Sequence, residues 1–208
     1  MKFLAVSPEA GEWKKPSQLA GAVNQLTQAC IRTGTESLAI SPFYSRLLDD
    51  SVQFKCVFKG FEKLRNMPFE VWTGENPLHA YIRYDSYFDR EAIYGENGIP
   101  YSDNHLRFSF LASAALAYAD AIHFQPTMFC GHDWGGALLA PIAQTAYAGI
   151  FDDIAFFFTV HNITYDFHVT ESEIERIGLP RKDFNMNGYE FWGKVSLLKA
   201  GIFYAKKV

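Results

Sequence analysis

The chain has 208 residues, enough for one domain with a sizeable core, and 49% of them are apolar, nineteen being Phe. A net charge of −4 gives no electrostatic basis for binding nucleic acid. The opening apolar run, Met1-Lys-Phe-Leu-Ala-Val-Ser7, is cut short by Pro8 and Glu9, too soon for a signal segment or a membrane span. Cys30, Cys56 and Cys130 are scattered, odd in number and without metal-binding spacing, so reduced thiols in a cytoplasmic protein are expected, with no disulfide and no metal.

Phe3 to Ser7 reads as a first buried strand. Leu19, Ala22, Val23, Leu26 and Cys30 then recur at helical spacing, with Ser17 placed to cap the helix and Gly34 to end it. Ser37 to Ser41 reads as a second strand, and this β-loop-α-β opening predicts an α/β fold. Residues 51–83 look different. Val52–Phe58, Phe69–Trp72 and His79–Arg83 are aromatic or β-branched runs separated by Gly and Pro, which predicts a hairpin-rich insertion around 50–85. A helix is expected over Asn104–Ile122 with Leu106, Phe110, Leu111, Ala114 and Ala115 on one face, and Asp103 is its expected N-cap. Thr127–Cys130 reads as a short strand and Gly136–Tyr147 as the helix after it. Ile154–Val160 is apolar throughout, the pattern of a central parallel strand covered on both faces. A last helix is expected over about Glu190–Ala200, with Lys206-Lys207 as a solvated helix terminus. The whole of 1–208 is thus expected to be one three-layer αβα, Rossmann-like domain on a mainly parallel sheet.

In an open parallel sheet, ligands bind beyond the carboxyl ends of the strands. Three polar clusters fall at such ends: Ser7–Ser17, Gly131-His-Asp-Trp134, and Thr159-Val-His-Asn162. Together they offer donors, acceptors and an aromatic plane, the mixture that sugar recognition requires. The structural alternatives are plain ones. Lys15 can be a solvated loop lysine, His161 a strand-end residue bonded to a carbonyl, Asp133 a helix cap and Trp134 core. Tyr81, Tyr84, Tyr87 and Phe88 read as a packed hairpin face before they read as a glucan platform.

Several segments together carry a family resemblance. The opening Phe3-Leu-Ala-Val-Ser-Pro-Glu-Ala10 with Lys15 and Leu19-Ala20 resembles the start of bacterial glycogen synthases and plant starch synthases. Tyr94-Gly95, Tyr101-Ser-Asp-Asn-His-Leu-Arg-Phe108, His132-Asp-Trp134, Thr159-Val-His-Asn162 with Tyr165, and Asn187 to Val208 resemble further motifs of that family, in its order. Only about residues 45–88 match weakly. The resemblance implies the acceptor-side, N-terminal domain of a GT-B glycosyltransferase of family 5, with a second, nucleotide-sugar-binding domain absent from this chain. It implies transfer of glucose from ADP-glucose or UDP-glucose to an α-1,4-glucan with retention of configuration, and no cofactor beyond that donor. By the same resemblance His161 and Asn162 contact the transferring glucose as catalytic residues. Lys15 approaches the donor phosphates, Asp133 and Trp134 line the sugar site, and Tyr94 and Tyr165 contact substrate. The isolated chain is expected to be inactive.

The chain departs from the pattern at four places. The Gly-Gly that follows the Lys is Ser17-Gln18, the next Asp is Gly21, the second His of His-Asp-Trp-His is Gly135, and Asp166-Phe167 replaces Gln-Gly. Side chains at 17 and 18 are expected to crowd a phosphate at the start of the helix. Those losses keep open a non-catalytic glucan-binding or interaction domain. A remote alternative is an epoxide hydrolase-like α/β-hydrolase. In it Gly131-His-Asp-Trp-Gly-Gly136 would be a nucleophile elbow carrying Asp133, but the expected oxyanion and late acid–histidine segments are missing.

Overall fold

The computed structural model describes residues 1–152 and 154–208. The chain opens β1 (Lys2–Val6), α1 (Gln18–Arg32), β2 (Glu36–Pro42). Next come β3 (Lys55–Phe61), β4 (Pro68–Thr73), β5 (His79–Arg83) and the single-turn α2 (Asp85–Phe88). A two-residue ribbon, β6 (Gly95–Glu96) and β7 (Ile99–Pro100), precedes the long α3 (Asn104–Ala121). After it follow β8 (Met128–His132), α4 (Asp133–Gly136), α5 (Leu139–Thr145) and β9 (Ala155–Thr159). A second small sheet, β10 (His168–Val169), β11 (Glu190–Phe191) and β12 (Lys194–Ser196), leads into α6 (Leu197–Tyr204).

The main sheet runs β3-β4-β5-β2-β1-β8-β9. β5, β2, β1, β8 and β9 are mutually parallel, and β4 and β3 continue the sheet antiparallel. The expected insertion of hairpin strands is therefore an extension of the parallel sheet, joined to it where Ala39 pairs with His79. Alternation along β1 defines the layers. Phe3 and Ala5 join Ala39 and Cys130 under Leu19 and Val23 of α1, whereas Leu4 and Val6 face the larger core with α3 and α5. Ser17 caps α1 by accepting from the Ala20 amide at 3.0 Å, as its position predicts.

Five expectations fail for physical reasons. Ile154–Val160 is not central: β9 is the last strand of the sheet, with Phe156 and Phe158 buried and Ala155, Phe157 and Thr159 half-buried. Its outer edge is met by the tail, where Lys206 N–H donates to Phe156 O (2.8 Å) and Phe158 N–H to Lys207 O (3.1 Å). Lys206 and Lys207 are exposed as expected, but their backbone is paired to a sheet edge instead of ending a helix freely. α3 is not one-sided either. Fourteen of its eighteen residues are buried, so it runs through the core with the sheet on one side and α5 and loop residues on the other. The helix expected at 136–147 is two short ones, broken at Ala137-Leu138. The helix expected from Glu190 is a hairpin instead: Phe191 pairs with Lys194 across Trp192 (φ 51°) and Gly193 (φ 76°), a two-residue turn with both residues left-handed.

Gly201 shows why α6 can lie against β9. A Cβ there would meet the Phe158 ring at 2.4 Å, so only glycine allows this approach. Asp103 occupies the N-cap position of α3 without capping it. Its carboxylate takes two hydrogen bonds from Arg90, at 2.8 and 2.6 Å. Tyr81 and Phe88 are almost fully buried, at 0% and 1% exposure, so the aromatic group from Tyr81 to Phe88 is packed core rather than a platform. No described helix is long and apolar enough to cross a membrane.

Candidate functional site

The ends of β1, β8 and β9 lie side by side, because Val6 pairs with Gly131 and His132 with Thr159. All three polar clusters singled out in the sequence leave the sheet there. The β8–α4 turn is tight. A Cβ on Gly131 would stand 2.3 Å from Gly136 O, and one on Gly136 would stand 2.7 Å from Val6 O. Between them Asp133 adopts φ 50°, a left-handed conformation that Asp tolerates better than bulky or β-branched residues.

That conformation aims the Asp133 carboxylate at the next strand end. Oδ1 accepts from the amides of His161 (2.7 Å) and Asn162 (3.2 Å). Asp133 is therefore not a helix cap; it holds the loop that carries the two residues expected to be catalytic. The left-handed strand-to-helix turn also explains the local likeness to a nucleophile elbow, yet here the acid is committed to two backbone donors. Asn162 turns its Oδ1 back onto Thr164, accepting from its amide at 3.0 Å and its hydroxyl at 2.6 Å. His161, Asn162 and Tyr165 are all exposed, Tyr165 to 68%.

Below this tip lies a buried shelf. Trp134 is 6% exposed. Phe167 stacks on it (centroids 5.3 Å, planes 20° apart), Phe108 meets it edge-on at 5.0 Å, and Tyr94 touches it at 5.5 Å. The open aromatic face expected of Trp134 is thus covered, and the residue is packing beneath the site. Phe167, one of the departures from the family pattern, is what covers it. Tyr94 donates to Glu9 Oε1 at 2.6 Å. Burial and the adjacent Glu9 push the Tyr94 hydroxyl well above its ordinary pKa, so it stays a donor. Glu9 is 7% exposed, a buried carboxylate at the end of β1 that sequence reasoning passed over.

Tyr94 is held from behind by Arg107, whose side chain has no exposure. Arg107 donates to Tyr87 O (2.7 Å), Ile93 O (2.7 Å) and Asn104 Oδ1 (2.6 Å), and Asn104 Nδ2 donates to Tyr94 O at 2.8 Å. The loop bearing Tyr94 is therefore wrapped around a buried cation. His132 belongs to a polar cluster that the sequence singles out, without a role assigned to it there. It is 1% exposed, and its Nδ1 lies 3.0 Å from Nε2 of His161. Burial first, and the neighbouring His161 second, push its pKa down to about 3.

Lys15 stands apart from this group, exposed on the loop before α1. Ser17 does not project into the approach to α1, because its hydroxyl is turned back onto the Ala20 amide; Gln18 remains exposed there. A Cβ on Gly21 would meet nothing within 4 Å, so the fold leaves room for the missing acid. At Gly135 it does not: a Cβ would press on Pro8 at 3.0 Å. Two concavities of about 690 and 830 Å3 lie elsewhere, one beside Phe129, Phe156 and Tyr204 and one beside Phe61, Phe69 and Arg83. The tip residues at the strand ends, His161, Asn162 and Tyr165, face solvent. Among the described residues no group of three or more His, Cys, Asp or Glu is placed to hold a metal.

Comparison with known proteins gives the family and the fold. The family model described as starch synthase catalytic domain matches residues 2–208. A glycogen synthase of Anaeromyxobacter sp. (strain K) is 28% identical over 209 residues, covering 99% of this chain and 44% of that protein. Glycogen synthase 2 of Geobacter metallireducens is also 28% identical, covering all of this chain and 44% of its own length. The chain thus spans less than half the length of the relatives it matches. Among solved structures, the catalytic domain of starch synthase IV from Arabidopsis thaliana, bound to ADP and acarbose, shares the fold. Its TM-score is 0.83 at 24% identity, over 98% of this chain and 43% of that one. With the model matching nearly end to end, and the expected strand ends converging as the fold requires, this chain belongs to the starch synthase catalytic domain family.

Proposed function

We propose that the chain is the acceptor-side half of a glucosyltransferase of the glycogen and starch synthase type. It transfers glucose from ADP-glucose or UDP-glucose to an α-1,4-glucan with retention, and works only with a second, nucleotide-sugar-binding GT-B domain. The observation that carries this reading is the convergence of Glu9, Tyr94, Asp133, His161 and Asn162 on the carboxyl ends of three adjacent parallel strands, in a chain matched by the family model over 2–208. The ADP bound by the Arabidopsis relative supports ADP-glucose, since ADP is what that donor leaves behind.

In this reading His161 and Asn162 meet the transferring glucose, Tyr165 lies along the acceptor path, and Lys15 approaches the donor phosphates. Asp133 fixes the first two in place, and Trp134 supports them from below. Transfer of this kind depends on positioned donors and cations around a leaving diphosphate, and most of those cations belong to the second domain. The only small molecule the chemistry calls for is the donor sugar, with no further cofactor. Cytoplasmic residence belongs to the same proposal, supported by three free cysteines.

A second reading, a glucan-binding domain without activity, is favoured by one observation. Gln18 is exposed at the start of α1, where the family has glycine. One pair of measurements tests the half-site that both readings share. The isolated chain with radiolabelled ADP-glucose or UDP-glucose and glycogen should leave the polymer unlabelled. Maltooligosaccharides should perturb the NMR signals of His161, Asn162 and Tyr94 at about millimolar concentration, since one wall of a cleft buries only part of a sugar. Label transfer that vanishes in His161→Ala would show that this half suffices. Perturbations confined to other regions would remove the site.

A further inference from the structure

The geometry points to His132 as the positioning residue that decides which nitrogen of His161 carries a proton. His132 donates from Nδ1 to Nε2 of His161, and His161 therefore presents an Nδ1–H donor at the open edge of the site. The two rings lie 5.3 Å apart with planes inclined by 28°, and Nδ1 of His132 is 3.0 Å from Nε2 of His161. One proton sits between these nitrogens, and which ring owns it follows from the surroundings.

His132 is buried and neutral, so it has one N–H and one bare nitrogen. Its Nε2 is buried with no hydrogen-bond partner among the described residues. If His161 donated to Nδ1, His132 would have to carry its own proton on Nε2, leaving a buried N–H with nothing to accept it. Orphaned buried N–H groups are rarer in folded proteins than acceptors short of a partner. With the proton on Nδ1 the orphan is a bare lone pair, and the N–H has a partner at hydrogen-bond distance. The second arrangement wins. Nε2 of His161 then accepts, and a neutral His161 must hold its proton on Nδ1.

The backbone beneath the ring is held as well. The amides of His161 and Asn162 are both tied to Asp133 Oδ1. Nδ1 of His161 makes no hydrogen bond to any described residue, and the residue is exposed. A fixed N–H there selects an acceptor oxygen. On the glucosyltransferase reading, from which this last step takes its ligands, that oxygen belongs either to a sugar hydroxyl or to a nucleotide diphosphate. A lone pair at the same place would have asked for a donor instead, so His132 sets the polarity of the contact without touching the ligand.

Two-bond 1H–15N correlation spectra of the isolated chain, labelled at histidine, read the tautomers directly at neutral pH, with exposed His123 as internal reference. Both His132 and His161 should show the Nδ1–H pattern; an Nε2–H pattern at His161 overturns the proposal. His132→Phe removes the donor, and His161 should move towards the reference pattern. No movement in a folded variant also overturns it. Should that variant not fold, His132→Gln, which keeps an amide donor at similar reach, should retain the Nδ1–H pattern, and its loss there counts against the proposal. Maltotriose and ADP are then titrated separately. The ligand whose oxygen meets Nδ1–H shifts that proton, and a response to neither overturns the ligand half together with the proposed function. The tautomer is read without ligand, so it stands or falls independently.

Discussion

The tip and the shelf of this site are built on opposite terms. The shelf of Glu9, Tyr94, Trp134 and Phe167 is packed on several sides, and its polar members are anchored through Asn104 and Arg107 at the heart of the molecule. The tip of His161, Asn162 and Tyr165 leaves the last strand of the sheet and is exposed throughout. Three hydrogen bonds tie His161 and Asn162 down, two to Asp133 and one to His132. Rigidity in the shelf comes from burial, whereas in the tip it comes from one carboxylate and one imidazole. Damage to the first should cost the fold, and damage to the second should cost mainly local order.

The strongest way to sharpen that contrast is Arg107→Ala. It strips partners from the carbonyls of Tyr87 and Ile93 and from Asn104, and it leaves a large cavity where no atom was exposed. Each orphaned buried group costs about 1–3 kcal/mol, and the cavity adds to that, so a loss of at least about 3 kcal/mol is expected. A urea titration at unchanged m-value reads it. A loss under about 1 kcal/mol would show that the loop carrying Tyr94 is held by something other than the buried cation.

A smaller effect is expected at the tip. Asp133→Ala removes an acceptor from two amides and puts a residue poorly suited to φ 50° in its place. About 2 kcal/mol is expected, with faster hydrogen exchange at the His161 and Asn162 amides and little change in the shelf. Asp133→Asn keeps an acceptor and tolerates the left-handed conformation, so it should retain most of that protection. Exchange rising equally around Trp134 and Tyr94 would break the comparison, because tip and shelf would then open as one unit.

The sequence revealed the tip more readily than the shelf. Strand ends show as apolar runs stopped by polar residues, and Asp133, His161 and Asn162 stand right after such stops. Edge and centre do not show in that way. β9 has the composition of a central strand, yet its outer side is met by backbone from residues 206–207, a pairing no local pattern encodes. The burial of Trp134 depends on Phe167, thirty-three positions away, and Tyr94 meets Glu9 across eighty-five. Such contacts come from the topology as a whole. Asn97-Gly98 between Glu96 and Ile99 is a strong hairpin signal, whereas Trp192-Gly193, which closes β11 onto β12 in the same manner, gives none, because a bulky residue rarely adopts φ 51°.

The smallest expected effect is the coupling between Gly135, one of the departures from the family pattern, and Pro8 beside it. Gly135 stands where the pattern has a second His, and the space its Cβ would need is taken by Pro8 Cβ and Cγ, each 3.0 Å away. Pro8 is a rigid ring in the loop after β1, so it cannot simply rotate aside. Gly135→His should therefore overpack this corner and destabilise by about 1–3 kcal/mol. Adding Pro8→Ala should recover part of that loss, and a double-mutant cycle should show coupling of about 1 kcal/mol, whereas Pro8→Ala alone gains nothing. If the two changes prove additive, Pro8 is not what forbids a side chain at position 135. The contact with Phe108, 3.4 Å from the same Cβ, is then the next constraint to relieve. That outcome would move the origin of the departure from the loop after β1 to the buried shelf itself.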